Sequence, residues 1–252
     1  MELCSVTDAA RRNVLQTYMG LAQHLSNARL IQHQNFSGTI SLLPYAFCNF
    51  IMGVHGSEDE RPEIVHEIDR WARLQPALRV YVLSGDEPDS IGESLTDIGF
   101  SLVNQMVQMA WFPVETLGRE EWTPANCQDE RRTIASFMVQ QFFAMNAADF
   151  RNLVVETTTT GPHELWQIID ERSVVAAAMV SPSQTALGIY NVCVDSSLRR
   201  RGYGTALMRS AQIRAHHLQL PIVLQCDASL SEWYRELGFQ VFGEMRTFQR
   251  RN

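Results

Sequence analysis

The sequence contains no lysine, and all 21 of its basic residues are arginine. They are outnumbered by 28 acidic residues, which gives a formal net charge of −7. No apolar run approaches the roughly 18 residues of a membrane-spanning helix. The first residues also lack the basic and apolar regions that are typical of a secretory signal. We therefore expect a cytoplasmic protein that does not bind or cross a membrane.

Cysteine pairs of the C-x-x-C type are missing as well. The five cysteines are odd in number and scattered, which predicts reduced thiols and no zinc site; they are Cys4, Cys48, Cys127, Cys193 and Cys226.

A broad basic face is also missing. Residues 1–117 carry 7 arginines and 14 acids, and residues 118–252 carry 14 of each. We therefore do not expect nucleic acid as a partner.

The length of 252 residues and the hydrophobic content of 45% allow one large domain or two of ordinary size. We predict two domains, over residues 1–117 and 118–252. In the first domain, apolar spacing and turn residues predict seven elements and one apolar stretch. In order, these are a helix over 7–24, strands over 29–33 and 38–43, the apolar stretch over 45–54, a helix over 62–74, a strand over 79–83, a short helix over 89–97 and a strand over 100–111.

The second domain begins with a predicted amphipathic helix over 127–143, whose apolar face includes Ile134, Phe137, Met138 and Phe142. Residues 144–161 are predicted to be a loop or an irregular helix. Strands are predicted over 165–169, 174–180 and 187–194, followed by a helix over 202–218, a strand over 222–226, a short helix over 230–236 and a strand over 239–248. Such a mixture of strands and helices is typical of an α+β fold.

Residues 192–207 have the pattern of an anion-binding turn. An apolar strand leads into a basic turn, and Gly202 and Gly204 then open an amphipathic helix. Free N–H groups and the helix dipole favour an anion at such a helix start, and the glycines let a phosphate approach the backbone closely. The arginines 199–201 add forked donors that suit phosphate. The glycine spacing matches neither a dinucleotide-binding nor a Walker fingerprint.

The pattern Arg199-x-x-Gly202-x-Gly204 resembles the R/Q-x-x-G-x-G/A signature of the GNAT superfamily of acyl-CoA-dependent N-acyltransferases. A second stretch, 231–239, resembles that family's helix with a tyrosine, here Tyr234, followed by Leu-Gly-Phe. The two motifs lie in the family's order and on the expected elements, so the resemblance covers residues 165–248. It implies a GNAT fold, a mixed and mostly antiparallel twisted sheet flanked by helices.

The resemblance also implies how acetyl-CoA is held, without a metal. Backbone amides from Arg200 to Thr205 hold the pyrophosphate of coenzyme A, and the strand before the loop splays from the next one and pairs with the pantetheine. The implied cofactor-binding residues are Val192, Cys193, Val194, Arg199, Arg200, Arg201, Gly202, Tyr203, Gly204 and Thr205. We expect only one or two of the arginines to touch phosphate.

Tyr234 is implied as the catalytic general acid, which protonates the departing thiolate of coenzyme A. A base for the incoming amine is less evident. The candidates are Tyr190, Asn191, Glu156, His163 and Glu164, and water or an amine that arrives neutral are alternatives. Cys193 and Cys226 are expected near the cleft as buried, inert thiols.

The first domain echoes the second. Residues 91–100 align without gaps with residues 230–239, at an offset of 139, which places Leu95 opposite Tyr234. The acidic turn 55–62 takes the place of the arginine–glycine loop, and its carboxylates would repel a pyrophosphate. We therefore predict a tandem GNAT-like protein with a degenerate N-terminal domain that lacks a cofactor site.

The predicted function is direct transfer of an acetyl group from acetyl-CoA to a primary amine of a small molecule or peptide. The alternative is a non-catalytic acyl-CoA-binding module with a role in regulation or interaction, which the lack of an obvious base leaves open. The chain is expected to act as a monomer or homodimer.

Overall fold

The computed structural model describes residues 3–25, 28–114 and 122–251, in which it has seven α-helices and eleven strands. The helices are α1 (Leu3–Ala22), α2 (Arg61–Leu74), α3 (Ile91–Asp97), α4 (Gln128–Phe143), α5 (Ala148–Thr160), α6 (Tyr203–Leu218) and α7 (Ser231–Glu236). The strands are β1 (Ala28–His33), β2 (Phe36–Ser41), β3 (Phe50–Met52), β4 (Arg79–Leu83), β5 (Phe100–Trp111), β6 (Thr123–Pro124), β7 (Glu164–Asp170), β8 (Ser173–Pro182), β9 (Leu187–Val194), β10 (Ile222–Cys226) and β11 (Gln240–Arg250).

The chain forms two compact units. Unit 1 comprises residues 1–108, 225–229 and 241–252, and unit 2 comprises residues 109–224 and 230–240. The units therefore differ from the two continuous domains expected from the sequence, because the end of the chain lies in unit 1. The physical reason is β11, which pairs with β4 in antiparallel register from Met245 opposite Leu83 to Phe248 opposite Val80.

Unit 1 contains a mixed, mostly antiparallel sheet. Its strands follow the order β1-β2-β3-β4-β11-β5. The first three are antiparallel neighbours, and β3 is parallel to β4, a pairing that needs the crossover helix α2 between them. Helix α2 has a proline in its first turn and buries Ile64, Val65, Ile68 and Ala72, spaced as one face of a helix.

The element order of the first half of the chain recurs in the second half. β6, β7, β8 and β9 are antiparallel neighbours, and β9 is parallel to β10 through the crossover helix α6. The order β1-β2-β3-α2-β4-α3-β5 thus recurs as β7-β8-β9-α6-β10-α7-β11. The predicted fold class of mixed, mostly antiparallel sheets flanked by helices is confirmed, and unit 1 has the mixed sheet that the internal repeat requires.

The segment 144–161 was expected to be a loop or an irregular helix, and the structure corrects this. Residues 148–160 form the regular helix α5, although it ends in four threonines with low helix propensity. The hydroxyls of Thr157 and Thr160 donate to the carbonyls four residues earlier, at 2.8 and 2.9 Å. The end of the helix is held from outside by Arg131 of α4, whose guanidinium donates to the carbonyls of Thr159 and Gly161, each at 2.6 Å.

Candidate functional site

The parallel pairing of β9 and β10 is short. Leu187 lies opposite Ile222 and Gly188 opposite Val223, and the register ends there although both strands continue. The remainder of β9 on that side therefore has no strand partner among the residues that the structure describes. A bulge marks the same part of β9: its register with β8 shifts between the Ala177–Cys193 and Met179–Tyr190 pairs, and Asn191 has a φ of 52°.

The turn after β9 is built by its own side chains. Asp195 accepts hydrogen bonds from the backbone N–H and the hydroxyl of Ser197, at 2.9 and 2.6 Å, and these bonds lower the pKa of Asp195. Arg200 and Gly202 have φ angles of 65° and 90°, in the left-handed region. Gly202 is the residue that suits this conformation best, because it has no Cβ.

Helix α6 begins directly after Gly202. The N–H of Ala206 donates to the carbonyl of Gly202 at 2.9 Å, which is the first hydrogen bond of the helix. The N–H groups of residues 203–205 come before Ala206 and therefore have no acceptor within the helix. These groups, with the positive end of the helix dipole, suit a phosphate.

A cavity of about 720 Å³ in unit 2 joins these features. Its volume lies in the range of small-molecule and cofactor sites. Nine of the ten predicted cofactor-binding residues and the predicted acid line it: Val192, Cys193, Val194, Arg199, Arg200, Gly202, Tyr203, Gly204, Thr205 and Tyr234. The remaining one, Arg201, is exposed and lies outside this wall. An open helix start, two arginines and an unpaired strand edge fit a ligand with a diphosphate and an amide chain.

Three of these side chains have specific surroundings. The Arg199 guanidinium lies 3.5 Å from the carbonyl of Val194. The Tyr203 hydroxyl donates to Asp170 at 2.5 Å, which raises the pKa of Tyr203 and holds the hydroxyl at the β7–β8 turn. The Cys193 thiol is buried, and burial raises its pKa to about 12. The expectation that Cys193 is an inert thiol agrees with this.

Tyr234 lies on α7 with 5% of its surface exposed. Its ring packs 4.6 Å from that of Trp233 and edge-on to Phe239 at 5.5 Å, between centroids. Trp233, expected to be a core residue, is half-buried and forms part of the cavity wall. The two aromatic neighbours fix the tyrosine ring, so the position of its hydroxyl is set by packing.

The five candidate bases do not lie on the cavity wall. Glu156 forms an ion pair with Arg132, and Glu164 accepts from the indole N–H of Trp166 at 2.9 Å. His163 is buried, Tyr190 is half-buried, and Asn191 is exposed at the bulge. Cys226, expected near the cleft, is buried in unit 1.

Five further wall residues were not predicted to be part of the site: Gln141, Phe142, Leu198, Leu230 and Trp233. Phe142 is the clearest case, since its spacing on α4 predicted a core position, whereas 47% of its surface is exposed. Its position in the last turn of the helix was the available signal, because the sheet that buries the middle of α4 need not cover its end.

The equivalent place in unit 1 carries a buried ion pair. Arg11 of α1 pairs with the buried Asp86 at 2.5 Å and donates to the carbonyl of Val54 at 3.0 Å. The N–H of Glu87 approaches the same carbonyl at 3.3 Å. These contacts connect the segment after β3 to the segment after β4. In the second repeat, the corresponding strands are β9 and β10, whose pairing is short. Leu95, the counterpart of Tyr234, is completely buried.

The acidic turn of unit 1 also uses its own polar groups. The carboxylate of Glu60 accepts from the N–H and the hydroxyl of Ser57, at 2.8 and 3.0 Å, just before α2 begins. Glu58 pairs with Arg61 at 3.2 Å. The turn therefore presents carboxylates where the loop of unit 2 presents amides and arginines.

None of the described helices is long and apolar enough to cross a membrane. Within residues 3–25, 28–114 and 122–251, no group of three or more His, Cys, Asp or Glu side chains is arranged to hold a metal ion.

Comparison with known proteins agrees with the geometry. Residues 161–241 match the family model described as acetyltransferase (GNAT) domain. No curated protein sequence matches the chain. The fold is similar to that of a GCN5-related N-acetyltransferase from Kribbella flavida, with 15% identity, a TM-score of 0.70 and 96% of each chain covered.

Two other solved structures show the same fold. One is a GCN5-related N-acetyltransferase from Sphaerobacter thermophilus, with 16% identity and a TM-score of 0.57 over 96% of this chain and 91% of that one. The other is a tandem GNAT protein from the clavulanic acid biosynthesis pathway, with 10% identity and a TM-score of 0.58 over 98% and 93%. Residues 161–241 of this protein are therefore similar to a GNAT acetyltransferase domain, and the fold of the chain is that of these structures.

Proposed function

We propose that this protein is an acetyl-CoA-dependent N-acetyltransferase that transfers an acetyl group directly to a primary amine of a small molecule or peptide. The observation that carries the proposal is the cavity of unit 2, where an unpaired strand edge, an open helix start and Tyr234 share one wall. A GNAT domain supplies the reaction type, and this wall supplies the groups that the reaction needs.

Each part of the wall has a role in this proposal. The N–H groups at the start of α6, with Arg199 and Arg200, bind the diphosphate. The free edge of β9 at residues 192–194 pairs with the pantetheine amides and points the thioester towards Tyr234. The tyrosine hydroxyl donates a proton to the departing sulfur, whose ordinary thiol pKa of about 8.5 makes such assistance useful.

We further propose that only the second repeat binds acetyl-CoA. In unit 1, Arg11 pairs with Asp86 and donates to the carbonyl of Val54, which leaves that carbonyl less available to a pantetheine. The carboxylates of Glu58 and Glu60 stand where the diphosphate would lie. The first repeat thus retains the fold without the cofactor site.

The test is release of free thiol from acetyl-CoA in the presence of a panel of primary amines. Amine-dependent release, with the acetylated amine identified by mass spectrometry, is the expected result. A protein that binds acetyl-CoA but acetylates no amine would contradict the proposal.

That second result would favour the alternative, a non-catalytic acyl-CoA-binding module. The observation behind this alternative is that the cavity wall, as far as the structure describes it, contains no aspartate, glutamate or histidine to act as a base. Binding of acetyl-CoA alone does not separate the two functions, whereas turnover does.

A further inference from the structure

We infer that the acceptor is a weakly basic primary amine carried on an apolar body, and that it enters the site already neutral. The inference rests on the proposed function, because it concerns the second substrate of the same cavity. It follows from the titratable groups that the wall has and from the apolar side chains that it exposes.

The wall, in the part of the chain that the structure describes, has no carboxylate or imidazole to accept a proton near pH 7. Its described titratable side chains are Arg199, Arg200, Tyr203, Tyr234 and Cys193. The arginines carry permanent positive charge. The Tyr203 hydroxyl is engaged by Asp170, the thiol of Cys193 has a pKa of about 12, and Tyr234 is the proposed acid.

Six carboxylates on the elements around the cavity have other partners. Each of the following accepts a hydrogen bond or forms an ion pair with a neighbour: Asp195 with Ser197, Glu232 with Arg235, Asp170 with Tyr203, Glu156 with Arg132, and Glu164 with Trp166. Glu130 on α4 accepts from the N–H of Asn126. The cavity is therefore positive at its loop end, and no carboxylate on its wall attracts an ammonium.

An ammonium is a poor substrate for such a wall. It is repelled by the two arginines, and it must lose a proton before its nitrogen can attack. An amine with the pKa of a lysine side chain is neutral in only about one molecule in 2,500 at pH 7, whereas an α-amine is neutral in about one in ten. A site without a base therefore discriminates strongly in favour of amines of low pKa.

The apolar part of the wall indicates what the amine is attached to. Phe142 and Leu230 are each 47% exposed and face the cavity together with Leu198 and Trp233. Large apolar surface rimmed by polar groups is typical of a ligand site. These side chains lie outside the predicted cofactor-binding set, and an aromatic or branched aliphatic body on the acceptor would cover them.

The reaction balances without an enzyme base. The lone pair of the neutral amine forms a bond to the thioester carbonyl carbon, and the carbon–sulfur bond breaks with its electron pair leaving on sulfur. Tyr234 donates its hydroxyl proton to that sulfur. The surplus proton on nitrogen passes to water, and a proton returns to Tyr234 from solvent, which leaves an amide and free coenzyme A.

The first experiment compares two amines with the same benzyl body, 2-phenylethylamine and phenylalanine amide, whose amine pKa is lowered by the neighbouring carboxamide. We expect kcat/KM for each to rise with pH to an inflection at that amine's own pKa, so that the inflection moves when the amine is changed. Phenylalanine amide should be the better substrate at pH 7 by at least tenfold. An inflection at one fixed pH for both amines would reveal an enzyme base and overturn the inference.

The second experiment tests the apolar body with Phe142→Ala and the matched control Met145→Ala, which is 98% exposed and does not line the cavity. Phe142→Ala should raise KM for phenylalanine amide at least tenfold and change KM for glycine amide less than threefold. If the two substitutions changed KM for phenylalanine amide equally, the inference that the acceptor has an apolar body would be overturned. Thiol release with strongly basic amines only would overturn the inference alone, and no release with any amine would overturn the proposed function with it.

Discussion

At Tyr234, the hydroxyl is the only atom that phenylalanine would remove. Tyr234→Phe keeps the ring contacts with Trp233 and Phe239, so affinity for acetyl-CoA should stay within a few-fold. The chemical rate should fall by roughly 10²-fold, the scale of a general acid. Tyr81→Phe, which alters a half-buried tyrosine of unit 1, is the control for loss of a hydroxyl. Equal single-turnover rates in the two variants would show that Tyr234 is structural.

Gly204 has room for a methyl group and for little more. A Cβ there would lie 3.5 Å from Trp233 and 3.6 Å from Val194, in ordinary contact. Gly204→Val extends further into the cavity and should weaken acetyl-CoA binding at least tenfold, about 1.4 kcal/mol. Gly204→Ala should have a smaller effect. Titration calorimetry on folded protein measures both, and unchanged affinity of the valine variant would remove the loop from the binding site.

Asp86 makes the free energy of unfolding of this protein depend on pH. Burial raises the pKa of Asp86 to about 6 from an ordinary value of 3.8, so between these values the folded state binds more protons than the unfolded state. The stability contributed by protonated Asp86 is therefore lost as pH rises from about 4 to 6, by roughly 3 kcal/mol. Asp86→Asn keeps an acceptor for the N–H of Leu83 and should lack this decrease. Denaturant unfolding of both proteins at several pH values measures the difference, and parallel pH profiles would contradict it.

Among the secondary-structure elements, α5 depends on a side chain that lies outside it. The Arg131 guanidinium also donates to the carbonyl of His163 at 2.8 Å, in addition to those at the end of α5. Arg131→Ala would leave these carbonyls without their charged donor and should lower the free energy of unfolding by about 3 kcal/mol. Arg132→Ala is the matched control, because its exposed pair with Glu156 is worth at most about 1 kcal/mol. Similar melting temperatures of the two variants would contradict the role of Arg131.

The strands illustrate how far sequence patterns reach at this scale. The predicted bounds of β4, β5, β9 and β10 coincide with those in the structure, because apolar runs between turn residues specify strands locally. Helix α5 was predicted only as a loop or an irregular helix, for the opposite reason. Its threonines favour other conformations, and Arg131, which holds its end, lies about thirty residues earlier in the chain.

For the whole molecule, the two repeats lead to a prediction of stoichiometry. Acetyl-CoA should bind once per chain, between residues 192 and 234, because in unit 1 Arg11 already binds the carbonyl of Val54 and the turn before α2 carries Glu58 and Glu60. A titration of the full chain with acetyl-CoA should therefore give one site. Two equivalents per chain, or a complex with acetyl-CoA seated in unit 1, would contradict the proposal that the first repeat lacks a cofactor site.

The sequence by itself determined the parts of this protein that depend on neighbours along the chain. The turn 195–204, with its glycines and arginines, is such a part, and so is the helix that carries Tyr234. Their backbone conformations are specified by residues within about ten positions, and their spacing was enough to indicate a GNAT domain. The order of elements in each repeat was predictable for the same reason.

Only the tertiary structure decided the features that need residues distant in sequence. These are the pairing of β11 with β4, the contact of Arg11 with Asp86, the exposure of Phe142 at the cavity and the absence of a carboxylate on the described wall. A periodic apolar pattern specifies that a helix has an apolar face, but it does not specify where along its length the covering sheet ends. Likewise, a carboxylate in the sequence has no role until packing selects its partner.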